Sequence, residues 1–428
     1  MTSTAAATAT AETVRDEVRA FLAEQWDPDL TVAEWWGRLA EGRWAVPTWP
    51  EVALGRGLAG DLARVVADEL RAAGAVGGPA GLGILLAGPT IYTHGSPEQQ
   101  ERYLPTIVNG EEAWCQLFSE PGAGSDLASL QTKAERDGDE WVITGQKVWT
   151  SGGQVADLGM LLARTDPEAP KHQGISYFAF PMDQDGVEVR PLREMTGRAL
   201  FSEVFIDGAR VSNDALIGGL NKGWAVANTT LAFERAGLGG GGSGAGGAAF
   251  PGRKAGALTT RVGDLVTGIG SGRSVQPSAF GGSFGLFRDL AEKLGRAGDP
   301  SVRQRLAELY ILNEIGRMTS LRLRAARAAG RDMGPAGNLA KLLMSRITRL
   351  TRDLGPAILG PEGMLMGEAT TGGGVVQEMT LFAPAPSIYG GSDEIQKNII
   401  GERALGLPKE PGPDKSTPFR ELKVGTQA

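Results

Sequence analysis

Residues 141–145 of this 428-residue chain read Trp-Val-Ile-Thr-Gly and follow the turn Asp137-Gly138-Asp139. Aromatic and β-branched residues after such a turn are typical of a β-strand. Similar runs follow along the chain, at residues 176–181, 187–191 and 203–206. The turn-forming residues 183–186 predict a hairpin between the first two of these runs. We therefore expect an all-β domain of roughly 100 residues between Trp114 and Ile217.

Helical patterning lies on both sides of this zone. On the N-terminal side, Val14, Val18 and Phe21 are spaced so that they share one face of a helix. On the C-terminal side, residues 303–329 and 340–354 form long amphipathic stretches. The order of helices, strands and helices predicts an α+β protein built in layers.

Four segments follow from these changes of pattern. We expect an N-terminal helical domain over residues 1–114 and a middle β domain over residues 115–222. A C-terminal helical domain should occupy residues 223–408. The remaining residues, 409–428, begin with a proline-rich stretch and are predicted to form a flexible tail.

Composition excludes several classes of protein. The chain carries 43 Lys and Arg against 50 Asp and Glu, a net charge of -7, whereas a nucleic-acid binder needs a basic face. One cysteine, Cys115, and two histidines, His94 and His172, are too few for a disulfide framework or a cysteine- or histidine-rich metal site. No run of roughly eighteen apolar residues occurs and the N-terminus lacks a secretory pattern, so we expect a cytoplasmic protein without a membrane span.

Glycine is concentrated in one stretch. Residues 238–252 read LGGGGSGAGGAAFPG and follow a helix-like segment. This stretch is either a flexible surface loop or a backbone left bare to admit a bulky ligand. Residues 237–242 match GxGxxG, but no strand precedes them, so the match does not indicate a dinucleotide site.

A first motif combines residues 118–126, FSEPGAGSD, with residues 145–153, GQKVWTSGG. The small residues 121–125 form a turn whose backbone N–H groups suit an anion such as a pyrophosphate. Flat apolar rings and hydroxyl groups accompany the turn, from Phe118, Trp149, Ser119 and Ser151. Together they suit a planar heteroaromatic ligand with a charged tail. A tight β-turn with core aromatic residues is the alternative interpretation.

A second motif occupies residues 387–396, SIYGGSDEIQ. Tyr389, Gly390 and Gly391 read as a loop, and Ser392 reads as the N-cap of a helix with Asp393 and Glu394 in its first turn. Capping alone explains this pattern. The other interpretation is a helix N-terminus presented to a ligand.

The two motifs, in this order along the chain, resemble the two signatures of the acyl-CoA dehydrogenase family, and most closely its FadE-type members. The resemblance covers roughly residues 10–408. Further support comes from Gly223-Trp224 before a helix that carries Phe233-Glu234-Arg235, and from residues 359–363. It implies an N-terminal helical domain, a central β-barrel-like domain and a C-terminal four-helix bundle.

The resemblance also implies FAD, bound between the β domain and the C-terminal helices. The residues implied around the flavin ring are Gln116, Phe118, Ser119, Trp149 and Ser151. Those implied for the pyrophosphate and for contacts from the C-terminal helix are Gly124, Ser125, Ser392 and Glu394. No metal is implied.

The family's reaction needs a carboxylate that removes the α-proton of an acyl thioester while the β-hydride goes to flavin N5. In many members this base directly follows the tyrosine of the second signature, but here that position is Gly390. A second group of members carries the base in a Glu-Arg pair on the helix after the β domain, which matches Glu234 and Arg235. The resemblance thus implies Glu234 as base and the Gly390 N–H as donor to the thioester carbonyl. Arg235, Tyr389 and Gly391 are implied in binding the substrate.

Two departures from the family pattern concern contacts between subunits. Residues 271–287 contain Ala279-Phe280-Gly281 but no properly placed Arg-x-x-Phe-Gly motif, and Ala357 replaces a common glutamine. Both are compatible with a remodelled dimer or a hetero-oligomer.

The leading expectation is an FAD-dependent dehydrogenase of acyl-CoA thioesters in lipid catabolism, of the β-oxidation type, organised as a homo- or hetero-oligomeric dimer of dimers. It would pass its electrons to an electron-transfer flavoprotein. The alternatives are a non-catalytic FAD-binding subunit of a hetero-oligomer and a flavin oxidase or monooxygenase of the same fold. The small residues after Glu234 favour a bulky or branched acyl group, such as a sterol- or polyketide-derived one.

Overall fold

The protein folds into helices, then strands, then helices, as the patterning predicts. The computed structural model describes residues 9–239, 249–268, 283–331, 334–367, 369–409 and 416–422. Most of the glycine-rich stretch and residues 269–282 lie outside these ranges. The alternatives drawn from those two segments therefore stay predictions.

Five helices form the N-terminal part: α1 (Ala11–Gln25), α2 (Val32–Glu41), α3 (Gly60–Ala72), α4 (Gly88–His94) and α5 (Pro97–Val108). Three of them begin with a capping box, in which a hydroxyl accepts from the backbone N–H three residues later, at Thr10, Thr31 and Ser96. A π-helical turn over residues 83–87 leads into α4. The core between α1, α2 and α3 is aromatic and includes the fully buried Trp35 and Trp36.

The middle domain is one mixed sheet. Its strands are β1 (Trp114–Leu117), β2 (Lys133–Asp137), β3 (Glu140–Ser151), β4 (Leu158–Arg164), β5 (Ile175–Pro181), β6 (Val187–Leu192), β7 (Phe201–Ser212) and β8 (Leu216–Ile217). The order across the sheet is β6-β7-β3-β2-β4-β5-β8, and β1 pairs in parallel with β4. The four predicted strand runs all coincide with strands of this sheet.

The predicted hairpin over residues 176–191 is wrong. β5 pairs with β4 and β8, whereas β6 pairs with β7. Both edges of β5 are thus occupied, and its first six residues are buried. β6 instead alternates between half-buried and exposed residues, which suits an edge strand. The turn before β6 docks on β7, where the Asp207 N–H donates to the Gly186 carbonyl at 2.8 Å.

After the sheet, the described residues form α6 (Gly223–Gly239), α7 (Val262–Gly268), α8 (Ser283–Lys293), α9 (Pro300–Ala328), α10 (Ala336–Leu359), α11 (Val375–Phe382) and α12 (Asp393–Arg403). α10 is the central helix and packs against α6, α8, α9, α11 and α12. The core of this bundle includes the fully buried Phe287, Leu309 and Leu354. α6 also packs against α4 and β5, so it joins all three parts of the fold.

The tail differs from the flexible segment predicted over residues 409–428. Residues 416–422 pack on the β domain, where the Phe419 N–H donates to the Ala169 carbonyl at 3.0 Å. The buried Phe419 ring lies 3.5 Å from the guanidinium carbon of Arg164. A cation over an aromatic face stabilises this docking, which a reading of composition alone does not anticipate.

Substituting Phe419→Ala should release this docked segment. Removing a buried phenylalanine side chain forfeits roughly 2 kcal/mol of burial free energy, so we expect faster cleavage of the tail by a trace of protease, followed by mass spectrometry. The control is Arg420→Ala, which removes only an exposed ion pair with Glu168. Cleavage of the Phe419 variant at the wild-type rate would contradict the docking.

Within the described ranges, no helix has both the length and the apolar composition needed to cross a membrane. The same part of the chain contains no group of three or more His, Cys, Asp or Glu side chains arranged to hold a metal ion.

Candidate active site

The first motif is anchored by a buried ion pair. Lys147 on β3 is fully buried, and its Nζ lies 2.8 Å from Glu120 Oε1. Glu120 also accepts from the backbone N–H groups of Gln131 at 2.7 Å and Thr132 at 2.9 Å. Burial opposes ionisation of Glu120, but Lys147 and these N–H groups leave its pKa below the ordinary value. The small-residue turn that follows Glu120 is therefore held firmly on the sheet.

Trp149 has an unusual conformation. It is 57% exposed and has a φ of 61°, in the left-handed region that bulky residues rarely adopt. It lies in a register shift of β3 against β7, and its ring meets Phe201 edge-on at 5.9 Å. An exposed, strained aromatic residue indicates a functional surface, because strain persists where the surrounding structure enforces it.

The other residues of the first motif divide into two groups. Gly124, Ser125 and Ser151 are exposed, and Ser119 is half-buried, so a ligand can reach them. Phe118 is different, because its ring is buried and meets Tyr177 edge-on at 6.0 Å. Its side chain belongs to the core, which leaves only its backbone to approach a flavin.

Glu234 lies near the end of α6 and contacts the β domain. The side chain is half-buried, and Gln116 Nε2 on β1 donates to Glu234 Oε2 at 3.3 Å. Burial raises the pKa of Glu234, and the hydrogen bond from Gln116 and the charge of Arg235 oppose this rise. Burial also lowers the pKa of Arg235.

A buried cluster of hydroxyl groups fixes α6 one turn before Glu234. Thr230 Oγ1 lies 2.9 Å from Thr90 Oγ1 on α4 and 3.4 Å from the Tyr177 hydroxyl on β5. Thr230 and Glu234 are four residues apart and share a helix face. The cluster therefore sets the register in which Glu234 faces the sheet.

The loop of the second motif is stabilised by hydrogen bonds from the Gln396 side chain. Gly390 and Gly391 have φ values of 62° and 80°, which favour glycine at both positions. Gln396 Nε2 donates to the Gly390 carbonyl at 2.7 Å and to the Gly391 carbonyl at 3.4 Å. Tyr389 is half-buried, and burial raises the pKa of its hydroxyl to about 12, so the phenol stays neutral.

The predicted N-cap is present. Ser392 accepts from the Ile395 N–H at 3.3 Å at the start of α12, and Glu394 is exposed in the first turn.

Sequence reasoning missed the polar residues of α10 that anchor the second motif. Asp393 is buried, and its carboxylate lies 3.2 Å from Lys341 Nζ and 2.8 Å from an Arg349 guanidinium nitrogen. Asn338 donates to the Gln396 side-chain carbonyl, and Ser345 donates to the Pro386 carbonyl at 3.0 Å. Residues 338, 341, 345 and 349 are spaced along one face of α10. The spacing of these polar residues along α10 is a signal that could have marked the face, although it does not identify their partners.

The structure brings some predicted site residues together directly. Gln116 and Glu234 are in contact, and α10 contacts both α6, which carries Glu234, and α12, which begins at the second motif. Trp149, Ser151 and the turn at Gly124 share the middle domain with Gln116. The roles of Gly390 and Arg235 towards a substrate remain predictions.

The two histidines and the cysteine pack against other side chains of the fold and have no role in the proposed site. His94 Nε2 lies 2.7 Å from Thr229 Oγ1 on α6, and the His172 ring meets Trp224 edge-on at 4.8 Å. Cys115 is buried, and burial raises the pKa of its thiol to about 12, so the thiol is unreactive.

Comparison with known proteins gives the same family across the chain. The acyl-CoA dehydrogenase N-terminal domain matches residues 4–111, the middle domain residues 115–208 and the C-terminal domain residues 284–405. The acyl-CoA dehydrogenase IpdE1 of Mycobacterium tuberculosis is 38% identical over 382 residues, which cover 88% of each chain. The acyl-CoA dehydrogenase FadE34 of the same organism is 37% identical over 87% of this chain and 46% of its own length.

Solved structures agree with this assignment. The Tcur3481-Tcur3483 steroid ACAD superposes with a TM-score of 0.69 at 28% identity, over 94% of this chain and 98% of that one. The ChsE4-ChsE5 complex from Mycobacterium tuberculosis gives 0.67 at 27% identity, over 95% and 100% of the two chains. The fold, the two motifs and these matches together show that the chain belongs to the acyl-CoA dehydrogenase family and is an oxidoreductase of that class.

Proposed function

We propose that the protein dehydrogenates an acyl-CoA thioester between its α- and β-carbons, with FAD as cofactor and Glu234 as the base. The observation that carries this proposal is a half-buried carboxylate on α6 that accepts a hydrogen bond from Gln116 on β1, in a chain whose second motif has Gly390 where many relatives have the base. The family's position for an alternative base coincides with Glu234.

The surroundings of Glu234 suit proton abstraction from carbon. An α-proton beside a thioester is weakly acidic, so the base works best with a pKa raised towards neutrality. Burial raises the pKa of Glu234 in this way. The Tyr389 N–H already donates to the Ala385 carbonyl at 3.0 Å, so a backbone N–H of the glycine pair that follows it is proposed to stabilise charge on the thioester carbonyl. In this proposal the Gly390 N–H takes that role, and Arg235, Tyr389 and Gly391 contact the substrate.

The residues of the middle domain fit a flavin. Trp149 offers an exposed flat ring, and the turn with Gly124 and Ser125 offers exposed backbone N–H groups and a hydroxyl. When bound, FAD supplies the acceptor for the β-hydride. In the proposal these groups hold it, together with Gln116, Ser119, Ser151, Ser392, Glu394 and the backbone of Phe118.

Substituting Trp149→Ala should weaken flavin binding about tenfold to a hundredfold, because the variant loses the aromatic surface that covers the ring. Flavin fluorescence, titrated against the apoprotein, measures the dissociation constant. Trp149→Phe is the matched control and should retain most of the affinity, since it keeps an aromatic face. Equal affinity in the Ala variant and the wild type would contradict the assigned role.

Oligomer formation through the C-terminal helices is part of the proposal. One face of α9 carries large apolar residues that are each between 46% and 58% exposed, namely Tyr310, Ile311, Ile315, Met318 and Leu321. Exposed apolar side chains concentrated on one helix face favour contact with another subunit. Two structural neighbours, Tcur3481-Tcur3483 and the ChsE4-ChsE5 complex, have two components, so the proposal includes both a homo-oligomer and a hetero-oligomer. An electron-transfer flavoprotein is the proposed electron acceptor.

A bulky acyl group is the proposed substrate class, in lipid catabolism of the β-oxidation type. One structural neighbour is a steroid ACAD, and small residues follow Glu234 in the sequence. Both observations support a bulky acyl group. Activity confined to short straight acyl chains would contradict this part of the proposal.

The test is a titration of the purified, FAD-loaded protein with short, long and polycyclic acyl-CoA thioesters, followed by absorbance. We expect the flavin absorbance to bleach most with polycyclic thioesters. Absence of bleaching with every thioester, restored only by a second subunit, would favour the alternative of a non-catalytic FAD-binding subunit. Fast reaction of the reduced flavin with oxygen would favour an oxidase or monooxygenase.

A further inference from the structure

Gln116 occupies a distinctive position on β1. Its neighbours Cys115 and Leu117 are fully buried in the core, whereas Gln116 is half-buried on the opposite side of the strand. Its side chain crosses from the middle domain to α6, where its amide donates to Glu234 Oε2 at 3.3 Å. A polar residue in an otherwise apolar strand needs such a partner.

We propose that Gln116 is the positioning residue for the base, because its amide holds one carboxylate oxygen of Glu234 and leaves the other free to take the proton. The inference rests on the proposed role of Glu234. Among the described residues, Glu234 accepts from Gln116 through Oε2, so the inference assigns Oε1 to the substrate proton. The hydrogen bond from Gln116 and the attachment of Glu234 to α6 together fix the orientation of the carboxylate.

The bond also sets the acidity of the carboxyl. An amide N–H interacts more strongly with a carboxylate than with a neutral carboxyl, so it lowers the pKa of its acceptor. Burial raises the pKa of Glu234, and Gln116 is the first of the two influences that oppose the rise. A base must start deprotonated, and Gln116 therefore enlarges the fraction of the enzyme that is ready to react.

Other polar groups packed against α6 have partners of their own. Among the described residues, the charge that acts on Glu234 is that of Arg235, and the charge of Arg403 on α12 acts on Arg235 in turn. The other titratable or charged groups on the described elements that pack against α6 are His94 and Tyr92 on α4, Tyr177 on β5, and Lys341, Arg346, Arg349, Arg352 and Asp353 on α10. Of these, His94 bonds Thr229, Tyr177 bonds Thr230, and Lys341 and Arg349 both pair with Asp393.

The decisive variant is Gln116→Met, which keeps the length of the side chain and removes the donor. Infrared difference spectroscopy of the full, FAD-loaded protein follows the protonated carboxyl band of Glu234, identified by its loss in Glu234→Gln. We expect the midpoint of this band to move to higher pH by about one unit in Gln116→Met. The acid limb of kcat/KM should move by the same amount.

The chain offers a matched control in Gln146→Met. Gln146 on β3 donates to Glu203 Oε1 at the same distance, 3.3 Å, and is also part-buried. Gln146 is part of the first motif but is not among the residues proposed to contact Glu234, FAD or the substrate, and its amide is paired with Glu203 instead, so its loss should move neither the carboxyl band nor the acid limb. Gln116→Asn, which is polar but too short to reach, serves as a second variant if the Met variant does not fold, and it should behave like Gln116→Met.

Failures of the two proposals are distinguishable. If Glu234→Gln is inactive and the band moves in Gln116→Met, both hold. If Glu234→Gln is inactive but the midpoint is unchanged in Gln116→Met and Gln116→Asn, the base assignment stands and the role of Gln116 is overturned. If Glu234→Gln keeps its activity and its acid limb, the base is elsewhere and the role of Gln116 fails with it.

Discussion

Glu234→Gln should lower the rate of flavin reduction by acyl-CoA about 10²- to 10⁴-fold, the range typical of a lost general base. The amide has nearly the same shape as the carboxyl group but cannot accept the α-proton. FAD binding should be unchanged, because Glu234 lies on α6 and not on the exposed turn of the middle domain. Stopped-flow absorbance of the loaded protein, mixed with a thioester that bleaches the wild type, measures the rate.

The control for this variant is Glu308→Gln, which alters an exposed ion pair with Arg346 on the far part of the bundle. It should retain the wild-type rate.

A further expectation for Glu234→Gln concerns the stability of the fold. Because burial raises the folded-state pKa of Glu234, ionisation of this group costs stability as pH rises above its unfolded pKa. The Gln variant should therefore be at least as stable as the wild type at neutral pH, and an inactive but unfolded variant would not support the assignment.

Glu120→Ala should destabilise the protein by about 3–5 kcal/mol, the cost of leaving a buried charge without its partner. Lys147 is fully buried, and beyond Glu120 its Nζ has the Phe118 carbonyl at 3.1 Å. The loss should appear as a lower midpoint of urea unfolding, followed by fluorescence. Acid should produce part of the same loss in the wild type. The pKa of Glu120 is lowered on folding, so its contribution is present above the unfolded pKa and disappears as pH falls through the folded value.

Two comparisons separate this effect from general sensitivity. Glu188→Ala removes an exposed partner of Arg190 and should leave the midpoint of unfolding nearly unchanged. The double variant Glu120→Leu with Lys147→Met replaces the buried pair by apolar groups and should recover much of the lost stability. If Glu120→Ala were as mild as Glu188→Ala, the first motif would not depend on the ion pair.

Local sequence patterns were sufficient to predict the order of the helices and strands and to locate both motifs. Strand runs, capping signals and the position of Ser392 depend on neighbours along the chain, and the structure confirms them. The pairing of β6 was missed because a turn signal does not reveal which sheet edge is free. β5 already has partners on both sides, and only the complete sheet shows this.

The supports of the site were harder to predict than its candidate residues. The family resemblance singled out Glu234 and Gln116 but gave no contact between them, which depends on how α6 packs on β1. Phe118 looked available to a ligand from the motif alone, yet its ring is buried against Tyr177. Lys341 and Asn338 form long-range pairs with α12, and such partners have no local signature in a single sequence.

The backbone at Trp149 has a consequence for how this family member can be altered. A φ of 61° suits glycine and costs a bulky residue of order 1–3 kcal/mol. A search that selects only for heat resistance would therefore favour glycine or asparagine at this position, and would discard the aromatic face that the proposed cofactor needs. Thermal stability and activity should therefore respond in opposite directions to substitution of Trp149. Variants selected for heat resistance alone should lose bound flavin, and with it their yellow colour.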